Sequence, residues 1–217
     1  VERQKELNDT RIRMMQSQLN PHFLYNTLGS IKALADLKES QKASSMCESL
    51  IRFYRISLSN GNSVITVGME MELVDNYLRI LEYRYGEKFE YSFEIEKGLE
   101  HDKITRMMLQ PLVENALDHG SKLCDRKCML MIQVLSYGDR IEMEVLDNGA
   151  GMDAETLACV REAMEHRGEN RTNSYGVVNV NDRIQILAGR EYGLSFTSEK
   201  GVGTSARIVL PKTLKGA

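Results

Sequence analysis

Asn20-Pro21-His22-Phe23-Leu24-Tyr25-Asn26 is the stretch on which the reading of this 217-residue chain turns. It sits inside a long helical pattern and yet carries a proline. A proline in a helix interior costs roughly 3 kcal/mol, bends the axis and frees a carbonyl one turn earlier. The next residue, His22, has the side chain that titrates near neutral pH and is a good nucleophile when neutral. His22 is therefore the candidate acceptor of a transferred group. The plainer reading is a half-buried histidine of a helical bundle, which leaves the neighbouring Pro21 without a purpose.

Outward from the heptapeptide, Leu7, Met14 or Met15, Leu19, Phe23, Leu24, Leu28, Ile31, Leu34 and Ala35 recur at helical spacing among Glu, Arg, Gln and Lys. They predict an amphipathic helix from about Glu2 to Leu37, whose start looks like the continuation of a coiled coil. Lys38–Ser45 reads as a turn. A second stripe, Met46, Leu50, Ile51, Tyr54 and Leu58, ends at Ser59-Asn60-Gly61-Asn62. Two helices joined by a short loop make an antiparallel hairpin, and each stripe is wider than one partner covers. A homodimer closing a four-helix bundle would bury the excess.

Composition sets limits. The apolar fraction is 42% and the charged fraction 27%, as in ordinary globular chains. A net charge of -3 gives no electrostatic case for nucleic acid or an anionic membrane. No apolar run approaches the ~18 residues that span a bilayer. The opening Val1-Glu2-Arg3 has neither an initiator Met nor a signal peptide, so the expectation is a cytoplasmic fragment of a membrane sensor whose N-terminal region is missing. Cys47, Cys124, Cys128 and Cys159 read as reduced thiols; no second ligand pair accompanies Cys124 and Cys128.

Beyond Gly61 the pattern changes. Val64–Val67 is extended and Glu70–Tyr85 helical. Phe89–Glu96 alternates with period two, a strand with one wet face. A helix over about Thr105–His119, strands over Cys128–Ser136 and Arg140–Leu146, helices over Ala154–His166 and Val177–Ala188, and strands over Leu194–Ser198 and Ser205–Leu210 complete the pass. Strand follows strand twice, so the fold class is α+β, with helices on one face of a mixed sheet. The domain boundary falls near the polar cluster at Asn60–Gly68, giving expected domains 1–62 and 63–217.

Four short motifs carry chemistry. In Leu109-Gln110-Pro111-Leu112-Val113-Glu114-Asn115-Ala116-Leu117-Asp118-His119-Gly120, helical spacing sets Glu114 beside Asp118 and Asn115 beside Asp118 and His119. A carboxylate, a carboxamide and an imidazole suit a hydrated Mg²⁺ and its phosphates; a solvated polar face is the bland reading. Asp147-Asn148-Gly149-Ala150-Gly151 follows a strand directly. Its glycines permit close approach or positive φ, and Asp147 is placed to accept a hydrogen bond from an exocyclic amine; a simple turn is the alternative. In Ser174-Tyr175-Gly176-Val177 a glycine before a helix start exposes N–H groups to an anion, and Arg167–Ser174 reads as a lid. Gly201-Val202-Gly203-Thr204 leads into the last strand and offers a hydroxyl near a base, or is only a hairpin loop.

In this order and spacing the motifs resemble the GHKL ATPase fold of histidine kinases, gyrase, a heat-shock chaperone family and MutL. The resemblance spans about Ile104 to Pro211. Glu114-Asn115 is similar to the N box, Asp147-x-Gly149-x-Gly151 to the first glycine box, Gly176 to the second and Gly201-x-Gly203-Thr204 to the last. Gln18-x-Asn20-Pro21-His22-Phe23-Leu24-Tyr25-Asn26 resembles the phosphoacceptor motif of LytS/YesM-type sensor histidine kinases, as does Asp75-Asn76-Tyr77-Leu78-Arg79-Ile80 with Arg84. Ser174 and Val177 depart from the usual Gly-x-Gly-Leu, and Ile104-Thr105-Arg106 from Ile-Pro-Pro.

The resemblance implies a helical hairpin followed by a GHKL α/β sandwich, with ATP and Mg²⁺ bound: Asn115 holding Mg²⁺ and Asp147 reading adenine N6, with Asp118, His119, Gly149, Gly151, Gly176, Gly203 and Thr204 around the nucleotide. It implies a two-component sensor kinase that moves the γ-phosphoryl to His22 and then to an aspartate of a response regulator receiver domain. Glu114 is a general base in water-activating relatives; in a kinase it would polarise the acceptor or hold Mg²⁺-bound water. No carboxylate lies within one helical turn of His22, so Gln18, Asn26 or Glu48 are the candidates to orient it. Asn26 is also placed to position a water for dephosphorylating the regulator. The alternatives are a GHKL ATPase without phosphohistidine chemistry and a silent dimerisation module.

Overall fold

Phe23 is where the helical part of the chain is pinned. In the computed structural model, which describes residues 21–58, 64–121, 127–165 and 175–212, α1 (Pro21–Asp36) buries Phe23 and Thr27, one turn apart. Helix α2 (Ser40–Ser57) buries Ala43, Met46, Ser49, Leu50, Phe53, Ile56 and Ser57, a stripe at i, i+3 and i+4. The Phe23 ring lies 5.3 Å from Phe53 and 5.1 Å from Tyr77. Such ring pairs add about 0.5–1.5 kcal/mol each beyond the area they bury. Thr27 and Ser57 survive in this apolar setting because their hydroxyls donate one turn back, to the carbonyls of Phe23 at 2.7 Å and Phe53 at 2.8 Å. The helix expected over Glu2–Asn20 lies outside the described residues.

The turn between the helices is shorter than the sequence suggests. Glu39 N–H donates to Leu34 C=O at 2.9 Å and Lys38 N–H to Ala35 C=O at 3.0 Å, with Lys38 at φ 60°. This is the two-bond cap usually built on a glycine. With a lysine there, nothing in the sequence marks it. Helix α2 thus starts at Ser40, on polar residues read as turn, and its buried stripe begins at a small residue, Ala43.

Two compact units divide the chain. One comprises the described residues of Val1–Gly61 with Asp75–Arg84; the other comprises those of Asn62–Val74 and Tyr85–Ala217. Helix α3 (Val67–Tyr85) contributes to both.

The second unit is built on a sheet. Strands β2 (Phe89–Ile95), β4 (Cys128–Tyr137), β5 (Arg140–Asp147), β6 (Gly193–Glu199) and β7 (Gly203–Pro211) form a five-stranded sheet in the order β2-β4-β5-β7-β6. The β2–β4 pair is parallel and the others antiparallel, so the sheet is mixed, as the strand-after-strand pattern predicts. Alternation buries Leu130, Ile132, Val134, Ile141, Met143, Val145, Ala206, Ile208 and Leu210 on one face. Helices α4 (Leu109–Asn115), α5 (Ala154–Glu165) and α6 (Tyr175–Ala188) pack there. The opposite face is mixed: it exposes Met129, Met131 and Tyr137 of β4 beside polar pairs in which Gln133 donates to Glu94 at 2.6 Å and Arg207 pairs with Glu144 at 3.2 Å. The β6 edge is closed off by side chains. Leu194 N–H donates to Asn181 Oδ1 at 2.9 Å, and Arg161 donates to the Phe196 carbonyl at 2.9 Å, which removes backbone groups another strand would pair with.

A second, two-stranded sheet pairs β1 (Val64–Thr66) with β3 (Lys103–Thr105) antiparallel. Thr105, expected to begin a helix, is the last residue of β3. Three residues are too few for alternation to reveal β3, whereas β1 falls within the extended stretch expected at Val64–Val67. Helix α4 starts only at Leu109, beyond Met107, which sits at φ 58°.

Candidate functional site

The Asp147–Gly151 loop leaves the end of β5 and is anchored at three places. Asn148 Oδ1 accepts Met129 N–H at 2.7 Å, and its Nδ2 donates to Lys127 C=O at 3.2 Å, fastening the loop to the start of β4. Asp147 Oδ1 accepts Gly149 N–H at 2.7 Å. Gly201 N–H donates to Ala150 C=O at 2.6 Å, joining the loop to the β6–β7 hairpin.

Two glycines make that interlock possible. Gly151 has φ 63°, and a Cβ on it would overlap the carbonyl of Glu199. Gly203 has φ 151°, and a Cβ on it would overlap the Asp147 carbonyl oxygen and lie 3.0 Å from Asn148 Cα. Backbone meets backbone at both points, so no side chain fits. Hydroxyls finish the joint: Ser198 Oγ donates to Gly203 C=O at 2.9 Å, lies 2.8 Å from Thr204 Oγ1 and accepts Met152 N–H at 2.8 Å. Asp147 and Thr204 are register partners across β5 and β7. Asp147, Gly149, Gly151, Gly203 and Thr204 are thus one cluster at one end of the sheet. Asp147 is only partly exposed. Burial raises its pKa above the usual carboxylate value, and backbone N–H groups of Gly149 and Thr204 pull the other way.

Helix α4 brings the Glu114-Asn115 pair to the same sheet. It packs against β5 and α6, and the turn that continues it, Ala116–Ser121, packs against β4, β5 and β7. That turn is π-helical. Its i→i+5 bonding departs from the 3.6 spacing used to place Asn115 beside Asp118 and His119. Glu114 and Asn115 are partly exposed, Asp118 is exposed, and the His119 side chain lies outside the described residues. Gln110 Nε2 donates to Glu114 Oε1 at 2.9 Å, while the buried Gln110 Oε1 has no hydrogen-bond partner among the described residues. Carboxylates and carboxamides make an oxygen donor set that fits Mg²⁺, which takes few protein oxygens and keeps several waters.

Gly176 stands in the first described turn of α6 rather than before it, exposed, with Pro111 Cβ of α4 at 3.6 Å from where its own Cβ would be. That is ordinary van der Waals distance, so the packing of α6 on α4 does not by itself require a glycine here. The lid expected over Arg167–Ser174, Ser174 included, lies outside the described residues.

His22 belongs to the other compact unit. It is exposed on α1 while its neighbour Phe23 is buried, so the aromatic anchor turns the imidazole to solvent. Asn26 Nδ2 lies 3.1 Å from both Nδ1 and Nε2 of the ring. An amide N–H can donate only to the unprotonated ring nitrogen, the one with the nucleophilic lone pair. Rotating the carboxamide would present Oδ1 to the ring N–H instead. Glu48 is paired with Arg52 at 2.7 Å, and Gln18 lies outside the described residues.

Two residues of the sheet-containing unit escaped the sequence reading. Glu70, fully buried, accepts backbone N–H from Met107 at 2.8 Å and from Met108 at 2.7 Å and Leu109 at 2.9 Å. Arg183 of α6 donates to Met107 C=O at 2.8 Å. A glutamate 37 residues before its partner leaves no local signal.

Comparisons with known proteins identify the family and the fold. A family model described as "Histidine kinase" matches residues 10–89, and one described as "Histidine kinase-, DNA gyrase B-, and HSP90-like ATPase" matches residues 100–214. The sensor histidine kinase YesM of Bacillus subtilis is 34% identical over 97% of this chain, and the sensor protein LytS of Staphylococcus haemolyticus 33% over 95%. The chain spans 35% of the length of each. The histidine kinase domain of a blue-light activated kinase from Erythrobacter litoralis EL346 superposes with a TM-score of 0.51 at 16% identity, over 94% of both chains, a likeness of fold. With the Asp147–Gly151 and Gly203–Thr204 loops locked at the sheet end and Glu114-Asn115 closing a helix that packs on β5, the chain belongs to the family of histidine kinase-, DNA gyrase B-, and HSP90-like ATPases, and within it resembles the YesM and LytS sensor kinases.

Proposed function

We propose that this chain is the kinase region of a two-component sensor. It transfers the γ-phosphoryl of Mg·ATP to His22 and from there to an aspartate of a response regulator receiver domain. Residues 1–62 carry the dimerising phosphoacceptor helices and 63–217 the ATP-binding catalytic domain. The observation that carries the reading is His22 itself: a solvent-facing imidazole set by a buried neighbour, Phe23, with an amide, Asn26, on its ring nitrogens.

The chemistry is a displacement at phosphorus. A ring nitrogen lone pair of His22 forms the N–P bond, the bond from the γ-phosphorus to the bridging oxygen breaks, ADP departs with that electron pair, and the proton on the other ring nitrogen passes to solvent, to which the ring is exposed. Transfer onward reverses the logic: a receiver carboxylate oxygen attacks and the N–P bond breaks. Such transfers depend on positioning and charge neutralisation more than covalent help. With ATP bound, Asp147 would accept from the adenine amine with Thr204 beside it, the Gly149, Gly151, Gly176 and Gly203 backbones would line the nucleotide, and Asp118 and His119 are the residues assigned to the phosphates. Mg²⁺ held by Asn115 would neutralise phosphate charge, and Glu114 would hold one of its waters. Asn26 keeps the His22 ring oriented and is the candidate to place a water when the regulator is dephosphorylated.

Tyr25, 74% exposed, and Ile51, 61% exposed, with Leu28, leave apolar surface on α1 and α2 that a second copy would cover in a four-helix bundle. Among the described residues no helix is long and apolar enough to cross a membrane. We place membrane attachment in an N-terminal sensor region, as the greater length of the relatives suggests.

The test is incubation of this chain with γ-labelled ATP and Mg²⁺, then with purified receiver domains. Acid-labile label on the chain that passes to a receiver aspartate is expected; nucleotide hydrolysis with no protein label would favour an ATPase that drives conformational change instead. A pH series adds a second check. The adenine amine donates to the ionised form of Asp147, whose pKa burial has raised. Nucleotide affinity should therefore hold at neutral pH and weaken as pH falls through that raised value. Stability runs the other way: the contribution from protonated Asp147 is full below its unfolded pKa and lost as pH rises through the folded one. In Asp147→Asn the acid limb should vanish and affinity at pH 7 fall about ten- to hundredfold, the worth of one hydrogen bond to a charged group.

A further inference from the structure

We propose that Glu70 is a positioning residue for phosphoryl transfer: through the Met107–Leu109 backbone it fixes where Glu114 and Asn115 stand relative to α6. This rests on the reading of α4 as the Mg·ATP helix.

The wiring is specific. One carboxylate oxygen of Glu70 accepts the N–H groups of both Met108 and Leu109, and the other accepts that of Met107. The Met107 carbonyl is held from the far side by Arg183. Every hydrogen-bonding group of the Met107 backbone is therefore clamped, its N–H by α3 and its C=O by α6. The clamp holds a conformation Met107 would not choose. At φ 58° a residue with a Cβ is strained, and it relaxes unless its surroundings over-determine it. Met107 is also where the chain turns from β3 into α4, and α4 is only seven residues long. Glu114 and Asn115 are its last two residues, so a change in direction at Met107 is carried to them with nothing between to absorb it.

Charge makes the clamp indivisible. Glu70 is fully buried and Arg183 lies close enough to act on it electrostatically, with Arg106 also facing Arg183. Arg183 Nε is buried with no hydrogen-bond partner among the described residues. A neutral side chain at position 70 leaves the Arg183 charge uncompensated and sets an amide N–H against the backbone donors. Both changes push on the same peptide. Among the described residues the hydrogen bonds of Glu70 all run to the Met107–Leu109 backbone and none to Asp147, Gly203 or Thr204. The base site and the metal site are thus expected to respond differently.

The experiment compares the wild-type chain with Glu70→Gln and Glu70→Asp. The readouts are autophosphorylation kcat, KM for ATP and the Mg²⁺ concentration giving half-maximal rate, with Mg²⁺-free ADP binding measured alongside. In Glu70→Gln, kcat should fall about tenfold or more and half-saturating Mg²⁺ rise by a similar factor, while ADP affinity stays within about threefold; tenfold in rate corresponds to 1.36 kcal/mol at the barrier. Glu70→Asp keeps the charge and retracts the oxygens by one methylene, so its Mg²⁺ requirement should fall between those of the wild type and Glu70→Gln. Partial unfolding alone would lower the amplitude of ADP binding and the apparent kcat together, leaving half-saturating Mg²⁺ unmoved; that pattern would overturn the assignment. If Glu70→Gln yields no folded protein, Glu70→Asp decides, and a wild-type Mg²⁺ requirement in it overturns the proposal. A wild-type chain without Mg²⁺-dependent ATP binding would instead sink the reading of α4 on which the proposal rests.

Discussion

Replacing His22 with glutamine should reduce acid-labile labelling from γ-labelled ATP to background, a loss of at least about a thousandfold, because no other group would supply the nucleophilic lone pair. Nucleotide binding should be untouched, since the residues assigned to ATP lie in the second compact unit. Glutamine keeps a polar, helix-compatible side chain at an exposed position, so stability should change by no more than about 0.5 kcal/mol. Two measurements separate the outcomes: a fluorescent ATP analogue reports binding, and label stability in acid and base reports the chemistry, as phosphohistidine is lost in acid and retained in base. Label surviving in the variant would exclude His22 as acceptor. His101, exposed on the short Leu99–His101 turn, would then be the next histidine to replace.

Why His22 was legible while its setting was not is a matter of range. A proline-histidine pair inside a helical pattern is visible in seven residues. The strands of the second unit were equally plain, because alternation along Phe89–Ile95 and along β4 and β5 is a local consequence of burying one face. The glycine loops could be read as turns or as ligand loops. What settles their form is a contact between chain segments some fifty residues apart, Gly151 against Glu199, and no local pattern encodes that. The misses share this cause. Strand β3 forms by pairing with β1, the extended stretch that the sequence did show. The cap after α1 uses Lys38 where glycine is the usual signal. Met107 turns into α4 because Glu70 and Arg183, distant in sequence, hold it there. The π turn at Ala116–Ser121 changes which side chains are neighbours without changing residue types. The chemistry-bearing residues were readable by kind; the carboxylate that locks the start of α4 was not, because its partners are backbone groups and backbone groups have no letter in the sequence.

The second large effect is expected at Gly203. Its Cα lies against the Asp147 carbonyl, and an added Cβ would overlap that oxygen and crowd Asn148 Cα. Both neighbours are backbone, and Asn148 is itself tied to β4 through Met129 and Lys127, so neither yields by rotating a side chain. At φ 151° the residue also lies where L side chains rarely go. Overpacking of this kind costs about 1–3 kcal/mol and the backbone strain a further 1–2 kcal/mol. For a chain of this size each kcal/mol is worth roughly 2–4 °C of Tm. Gly203→Ala should therefore lower Tm by about 5–15 °C. The functional loss should be larger than the stability loss, because the way to relieve the overlap is to push the Asp147 loop off the β6–β7 hairpin. That movement separates Asp147 from Thr204 and breaks the Met152 N–H bond to Ser198. ATP affinity per folded molecule should drop at least about tenfold at a temperature where the variant is still folded by circular dichroism. Gly201 provides the control on the same hairpin. It has φ 81° but open space where a Cβ would go, so Gly201→Ala carries the backbone strain without the clash. Gly201→Ala should lower Tm by a few degrees and leave ATP affinity within about threefold. Equal loss of affinity in the two variants would mean that hairpin conformation in general, and not the contact of Gly203 with Asp147, holds the nucleotide site together.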